Sequence, residues 1–141
     1  MTGVADEKLS EGPADTEAAG AELAAELGPG DVVLVSGDLG AGKTTFVRGA
    51  CRALGVRGPV TSPTFEIGHL YEGRIEIAHI DLYRLPSLAR EEPGLLDDYV
   101  TPQRIAFIEW PGEDVETLAE ATARVRIEHL GGDRRRVTVE R

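Results

Sequence analysis

The stretch Val32-Val33-Leu34-Val35-Ser36-Gly37-Asp38-Leu39-Gly40-Ala41-Gly42-Lys43-Thr44-Thr45 decides how the rest of the chain is read. Its first four residues are an unbroken β-branched and leucine run, which suits a strand buried on both faces, as parallel strands are. Gly37 to Thr44 then fits G-x-x-x-x-G-K-[ST] at every fixed position. A chance match in a chain of this composition has a probability of about 0.3 per cent, so coincidence explains it poorly. Beyond the glycines, Phe46, Ala50 and Leu54 fall on one face with Val47 and Cys51 beside it, and Gly55 ends the run. That spacing predicts a helix over 44–54. Strand, glycine-rich bend and helix in this order are what a phosphate-binding loop needs.

The glycines let the backbone fold into an anion-binding nest without Cβ clashes, and the helix N-terminus adds its own N–H groups. Gly37, Asp38, Leu39, Gly40, Ala41 and Gly42 are therefore candidate phosphate-loop residues. Lys43 brings a full positive charge for the β- and γ-phosphates, Thr44 a hydroxyl for Mg²⁺, and Thr45 a donor for the α-phosphate. The chain has two lysines, Lys8 and Lys43, against thirteen arginines, and Lys43 is the only lysine in the expected folded body.

Hydrolysis also needs acids, and an open α/β sheet places its ligand chemistry at the C-terminal ends of its strands. Asp81 ends Ile77-Ala78-His79-Ile80, and Glu109 ends Ile105-Ala106-Phe107-Ile108. One is expected to hold Mg²⁺, directly or through water, and the other to orient the attacking water. His69, His79 and His129 fit no metal-ligand spacing, and His79, two residues before Asp81, reads as a strand histidine with an ordinary hydrogen bond. The chain contains no asparagine, so the Asn-Lys-x-Asp guanine-reading motif is absent and ATP with Mg²⁺ is the expected ligand. A small-molecule kinase and a nucleotide-gated binding module are the alternatives. The first is limited by the short span between Pro86 and Thr101 for a lid and acceptor pocket.

At 141 residues, with 41 % hydrophobic and 28 % charged, the chain has the material for one core and little beyond it. A formal net charge of −10 argues against a stand-alone nucleic-acid binder, which carries a basic footprint. One cysteine, Cys51, excludes an intrachain disulfide framework and a multi-cysteine zinc site, and reads as a small buried hydrophobe. The first residues lack a signal-peptide core, and no stretch approaches a membrane span, so a soluble cytoplasmic protein is expected. Residues 1–14 read as a disordered acidic tail and 15–141 as a single domain. Within it the patterns predict a helix from Asp15 to Leu27 and a hairpin of 65–71 with 74–82. One or two short helices are expected in 86–102, a core strand in 104–109 and an acidic helix in 113–121. Strands 123–130 and 135–140 follow, joined across Gly131-Gly132-Asp133. The expected fold is α/β: a P-loop NTPase-like three-layer arrangement around a mixed, mainly parallel central sheet with C-terminal antiparallel strands. Arg134-Arg135-Arg136 reads as a solvated strand entrance within reach of the nucleotide.

Four segments occur in the order seen in one family: Gly37 to Thr45, Thr61-Ser62-Pro63-Thr64-Phe65, His79-Ile80-Asp81-Leu82-Tyr83-Arg84-Leu85, and Ile108-Glu109-Trp110-Pro111. From about Asp15 to the C-terminus the chain resembles TsaE, formerly YjeE. That resemblance implies a cytoplasmic P-loop ATPase of bacterial threonylcarbamoyladenosine synthesis, a modification beside the anticodon of tRNAs that read codons beginning with A. It also implies TsaB and TsaD as partners, with tRNA met only through their complex. It assigns Lys43 and the loop glycines to phosphate, Thr44 and Glu109 to Mg²⁺, and Asp81 to support of hydrolysis. Ser62 and Thr64 fall in a switch-like segment, Trp110 serves the nucleotide site or a partner interface, and Gly132 to Arg134 form a turn approaching the nucleotide. Leu88 to Tyr99 departs from the family pattern, with Ala89-Arg90 in place of acids and Pro93 interrupting.

Overall fold

The computed structural model describes residues 5–37, 42–61, 68–81, 98–109 and 121–141. In chain order its elements are β1 (Ala5–Ser10), α1 (Pro13–Ala24), β2 (Val32–Gly37), α2 (Lys43–Ala53), β3 (Gly68–Tyr71), β4 (Ile77–Asp81), β5 (Ile105–Glu109), β6 (Ala123–Gly131) and β7 (Arg134–Glu140). The seven strands form one sheet in the order β1-β7-β6-β2-β5-β4-β3. Its centre, β6-β2-β5-β4, is parallel throughout. Antiparallel β7 and β1 extend one edge, and β3 closes the other.

The unbroken apolar run of β2 is explained by this position. Val33 and Val35 face one core cluster with Phe46, Val47 and Phe107, while Val32 and Leu34 face a second with Ala78, Ile80 and Ile108. Strand side chains alternate between faces, so both sides of β2 must be apolar. Helices α1 and α2 cover the first face. Tyr99, Val100 and Ala121 pack on the second, and among the described residues no helix lies there. The helices expected in 86–102 and 113–121 fall almost wholly outside the described residues.

Helices α1 and α2 cross closely because two glycines face each other's backbones. A Cβ on Gly20 would stand 2.1 Å from the Phe46 carbonyl oxygen, and one on Gly49 would stand 2.0 Å from that of Glu17. Cys51, fully buried beneath them, is the small hydrophobe expected, and desolvation pushes its thiol up to about 12.

One reading is corrected at the N-terminus. Residues 5–10 are not a solvated tail: β1 pairs antiparallel with β7 from Ala5↔Glu140 to Ser10↔Arg135, and α1 starts at Pro13 rather than Asp15. Five of the six side chains in β1 are exposed, so composition carried no sign of it. What holds the strand is its backbone ladder, with cross-element ion pairs from Lys8 to Glu22 and from Arg141 to Asp6. The expected hairpin is present, with β3 and β4 paired from Gly68↔Ile80 to Tyr71↔Ile77. Its second strand begins at Ile77 rather than Arg74, and residues 65–67 and 82 lie outside the described residues.

Candidate functional site

The alternation that builds the core also builds the site. On the face carrying α1 and α2, β4 presents Ile77, His79 and Asp81, and β5 presents Ile105, Phe107 and Glu109. Each row is apolar at its start and polar toward its C-terminal end, where β2 gives way to α2. Asp81 and Glu109 are direct Cα partners across the parallel pair, and Glu109 is paired with Val35 on its other side.

Helix α2 begins at Lys43 with Gly42 as its N-cap, at φ 104. That left-handed conformation is strained for any residue with a Cβ, which accounts for the second fixed glycine of the motif. Lys43 is buried, and its Nζ donates to the Gly37 carbonyl at 2.7 Å, so the ammonium reaches from the first residue of α2 back to the last residue of β2. The next residue, Thr44, directs its hydroxyl to both oxygens of Glu109, at 3.2 Å from Oε1 and 3.0 Å from Oε2.

Glu109 is only 2 % exposed, and a buried carboxylate needs donors. It has a second one, which the sequence did not assign: the Nε2 of fully buried His79 contacts Oε2 of Glu109. The imidazole therefore meets Glu109. Its other ring nitrogen, Nδ1, is buried without a hydrogen-bond partner among the described residues, a desolvation cost of about 1–3 kcal/mol. The Tyr71 ring lies against His79 at 6.1 Å, and its hydroxyl donates to the Thr61 carbonyl at 3.2 Å. Burial raises the Tyr71 phenol above its ordinary value.

The Thr44 hydroxyl and the Glu109 carboxylate fit Mg²⁺. Both are hard oxygen donors, and neighbouring ligands in an octahedron of 2.0–2.1 Å radius stand about 2.9 Å apart, close to the 3.0 Å observed between them. The half-buried carboxylate of Asp81 stands one strand further out. Thr45 does not face this carboxylate group. It lines, with Gly42, a cavity of about 50 Å³ whose other walls are Gly12, Pro13, Thr16, Asp133 and Arg135.

The family model described as threonylcarbamoyl adenosine biosynthesis protein TsaE matches residues 10–137. The chain belongs to the TsaE family. Its family role is in tRNA threonylcarbamoyladenosine biosynthesis. Relatives named as tRNA threonylcarbamoyladenosine biosynthesis protein TsaE include one from Streptomyces coelicolor, 42 % identical over 81 % of this chain and 79 % of its own length. One from Treponema pallidum is 34 % identical over 93 % and 97 %. The crystal structure of Bacillus subtilis YdiB superposes with a TM-score of 0.81 and 31 % identity, covering 99 % of this chain and 87 % of that one.

Of the residues singled out in this TsaE-family chain, the structure brings Gly37, Gly42, Lys43, Thr44, Asp81 and Glu109 together at one end of the sheet. From the β6–β7 turn expected at Gly132 to Arg134, Asp133 lines the cavity beside Thr45, joined by Arg135 just beyond the turn. Gly132 instead gives its carbonyl to Arg135 at 2.9 Å, and Arg134 pairs with Glu11 at 3.5 Å. Asp38, Leu39, Gly40, Ala41, Ser62, Thr64 and Trp110 lie outside the described residues. The approach to Ser62 is fixed from two sides, since Arg48 of α2 donates to the Val60 carbonyl at 3.2 Å and Tyr71 to that of Thr61.

Proposed function

We propose that this TsaE-family chain binds ATP with Mg²⁺ in the bend between β2 and α2 and hydrolyses it in the cytoplasm, sustaining turnover of the TsaB and TsaD proteins. The observation that carries the reading is the contact of Thr44 with both oxygens of Glu109 at the start of a helix whose first residue is Lys43. A buried lysine, a hydroxyl and a buried carboxylate thus stand together at the N-terminal end of a helix, the kind of end that suits an anion.

In this reading the N–H groups at the start of α2 and the Lys43 ammonium bind the phosphate oxygens. Thr44 and Glu109 hold Mg²⁺. When bound, the metal would supply positive charge against the negative charge that develops on the phosphate oxygens. Asp81 accepts a hydrogen bond from the attacking water and sets its line to the γ-phosphorus. The oxygen of that water bonds to phosphorus, its surplus proton passes to solvent, and ADP departs with the electron pair of the broken bond. Thr45 and the cavity toward Asp133 and Arg135 take the α-phosphate and nucleoside end. The transfer of the threonylcarbamoyl group belongs to the partner, and tRNA is met through the complex.

Phosphate release measured with the chain alone and then with TsaB and TsaD tests the reading, and strong stimulation by the partners is the expected result. Lys43→Ala should abolish nucleotide binding. Glu109→Ala should keep ATP bound while cutting hydrolysis by about a hundredfold or more, the scale for removing one preorganised charge-stabilising group. Hydrolysis by Glu109→Ala at the wild-type rate would remove that residue from the mechanism. Phosphate appearing on an added metabolite would instead favour a kinase.

A further inference from the structure

Nothing in the proposed reaction requires a histidine, yet one is sealed into the wall of the site. His79 is fully buried in a row that is otherwise isoleucine until Asp81, and one of its ring nitrogens lacks a partner among the described residues. An apolar residue would fill this place without leaving a ring nitrogen unsatisfied. What the imidazole gains is the contact of Nε2 with Oε2 of Glu109.

We propose that His79 is a positioning residue, an imidazole N–H that fixes the Glu109 carboxylate in the orientation in which it receives Mg²⁺ together with Thr44. The inference rests on the ATP–Mg²⁺ reading above. The terminal torsion of a glutamate is broad and nearly two-fold, so a carboxylate held from the Thr44 side alone can swing. His79 on β4 and Thr44 on α2 hold it from two different elements, and both contact Oε2, while Thr44 also reaches Oε1. The imidazole is itself braced, because the Tyr71 ring beside it is anchored through its hydroxyl, which donates to the Thr61 carbonyl and lies 3.2 Å from His69 Nδ1. Partners of metal-binding carboxylates act in this way generally, and losing one weakens metal affinity by about 10- to 100-fold.

The test uses the full chain, a fluorescent methylanthraniloyl derivative of ATP, and Mg²⁺ titrated into the nucleotide complex from an EDTA-buffered start. In His79→Leu the Mg²⁺ concentration at the midpoint should rise about 10- to 100-fold, with nucleotide affinity in EDTA little altered. His79→Gln, whose amide N–H reaches to a similar distance, should recover most of the loss. His79→Asn, polar but too short, should behave like His79→Leu and replaces it if the leucine variant does not fold. A wild-type midpoint in His79→Leu, or in His79→Asn, overturns the inference. So does a glutamine variant no better than the leucine or asparagine one, which would assign the effect to packing. If the wild-type chain binds the nucleotide with no response to Mg²⁺, the ATP–Mg²⁺ reading fails and takes this inference with it. That result differs from one in which wild type and variant respond alike.

Discussion

Gly20 and Gly49 set how closely the two helices can approach. The atoms a methyl group would meet are backbone carbonyls of the facing helix, at 2.1 Å for Gly20 and 2.0 Å for Gly49, and these cannot rotate aside as a flexible side chain can. Alanine normally gains about 0.5–1 kcal/mol over glycine inside a helix. Here the overpacking should outweigh that gain, so Gly49→Ala is expected to lower stability by about 3 kcal/mol, read as the shift in a urea unfolding midpoint. At this same scale the sequence showed some of the site and hid the rest. Lys43 and Thr44 were legible because a phosphate loop fixes residue types at fixed spacing within one segment. The bond between His79 and Glu109 was not, because the two residues are thirty positions apart. Only the pairing of β4 with β5 brings them together, and no local pattern reports which strands become neighbours.

Among the elements, those with an apolar signature were the ones that could be read. The buried run of β2 and the one-sided face of α2 identify themselves, whereas β1 is an edge strand whose side chains need no core. It carries Asp6, Glu7 and Lys8, the residues that composition assigns to solvent, and these meet Arg141, Arg136 and Glu22. The Arg141 guanidinium also binds Glu26, at 2.5 and 2.7 Å, and holds that carboxyl below its ordinary range. Removing residues 1–11 should therefore expose the edge of β7 and free these partners. We expect the melting temperature to fall by about 5 °C or more, the shift that roughly 1–2 kcal/mol brings in a domain of this size. A calorimetric scan in which the shortened chain melts like the full one would return the segment to the status of a tail.

For the molecule as a whole, charge decides more than any one contact. With a net charge of −10, the chain should repel the phosphate backbone of tRNA at long range, and most strongly at low salt, where screening is weakest. In filter binding at low ionic strength the isolated chain should hold tRNA more weakly than about 10⁻⁴ M, the weak end of non-specific binding. Tight, salt-sensitive binding would mean that a basic surface outweighs the overall sign. No helix among the described residues is long and apolar enough to cross a membrane. The close seating of α1 on α2 also has a mechanical side. Two rods touching main chain to main chain can tilt only as a pair, so any tug on the first turn of α2 is handed on to a helix with no phosphate ligand of its own. At the start of that second rod stand its N-cap Gly12 and its first residue Pro13, in the wall of the cavity beside Thr45, so the pair ties the first turn of α2 to the far wall of that cavity.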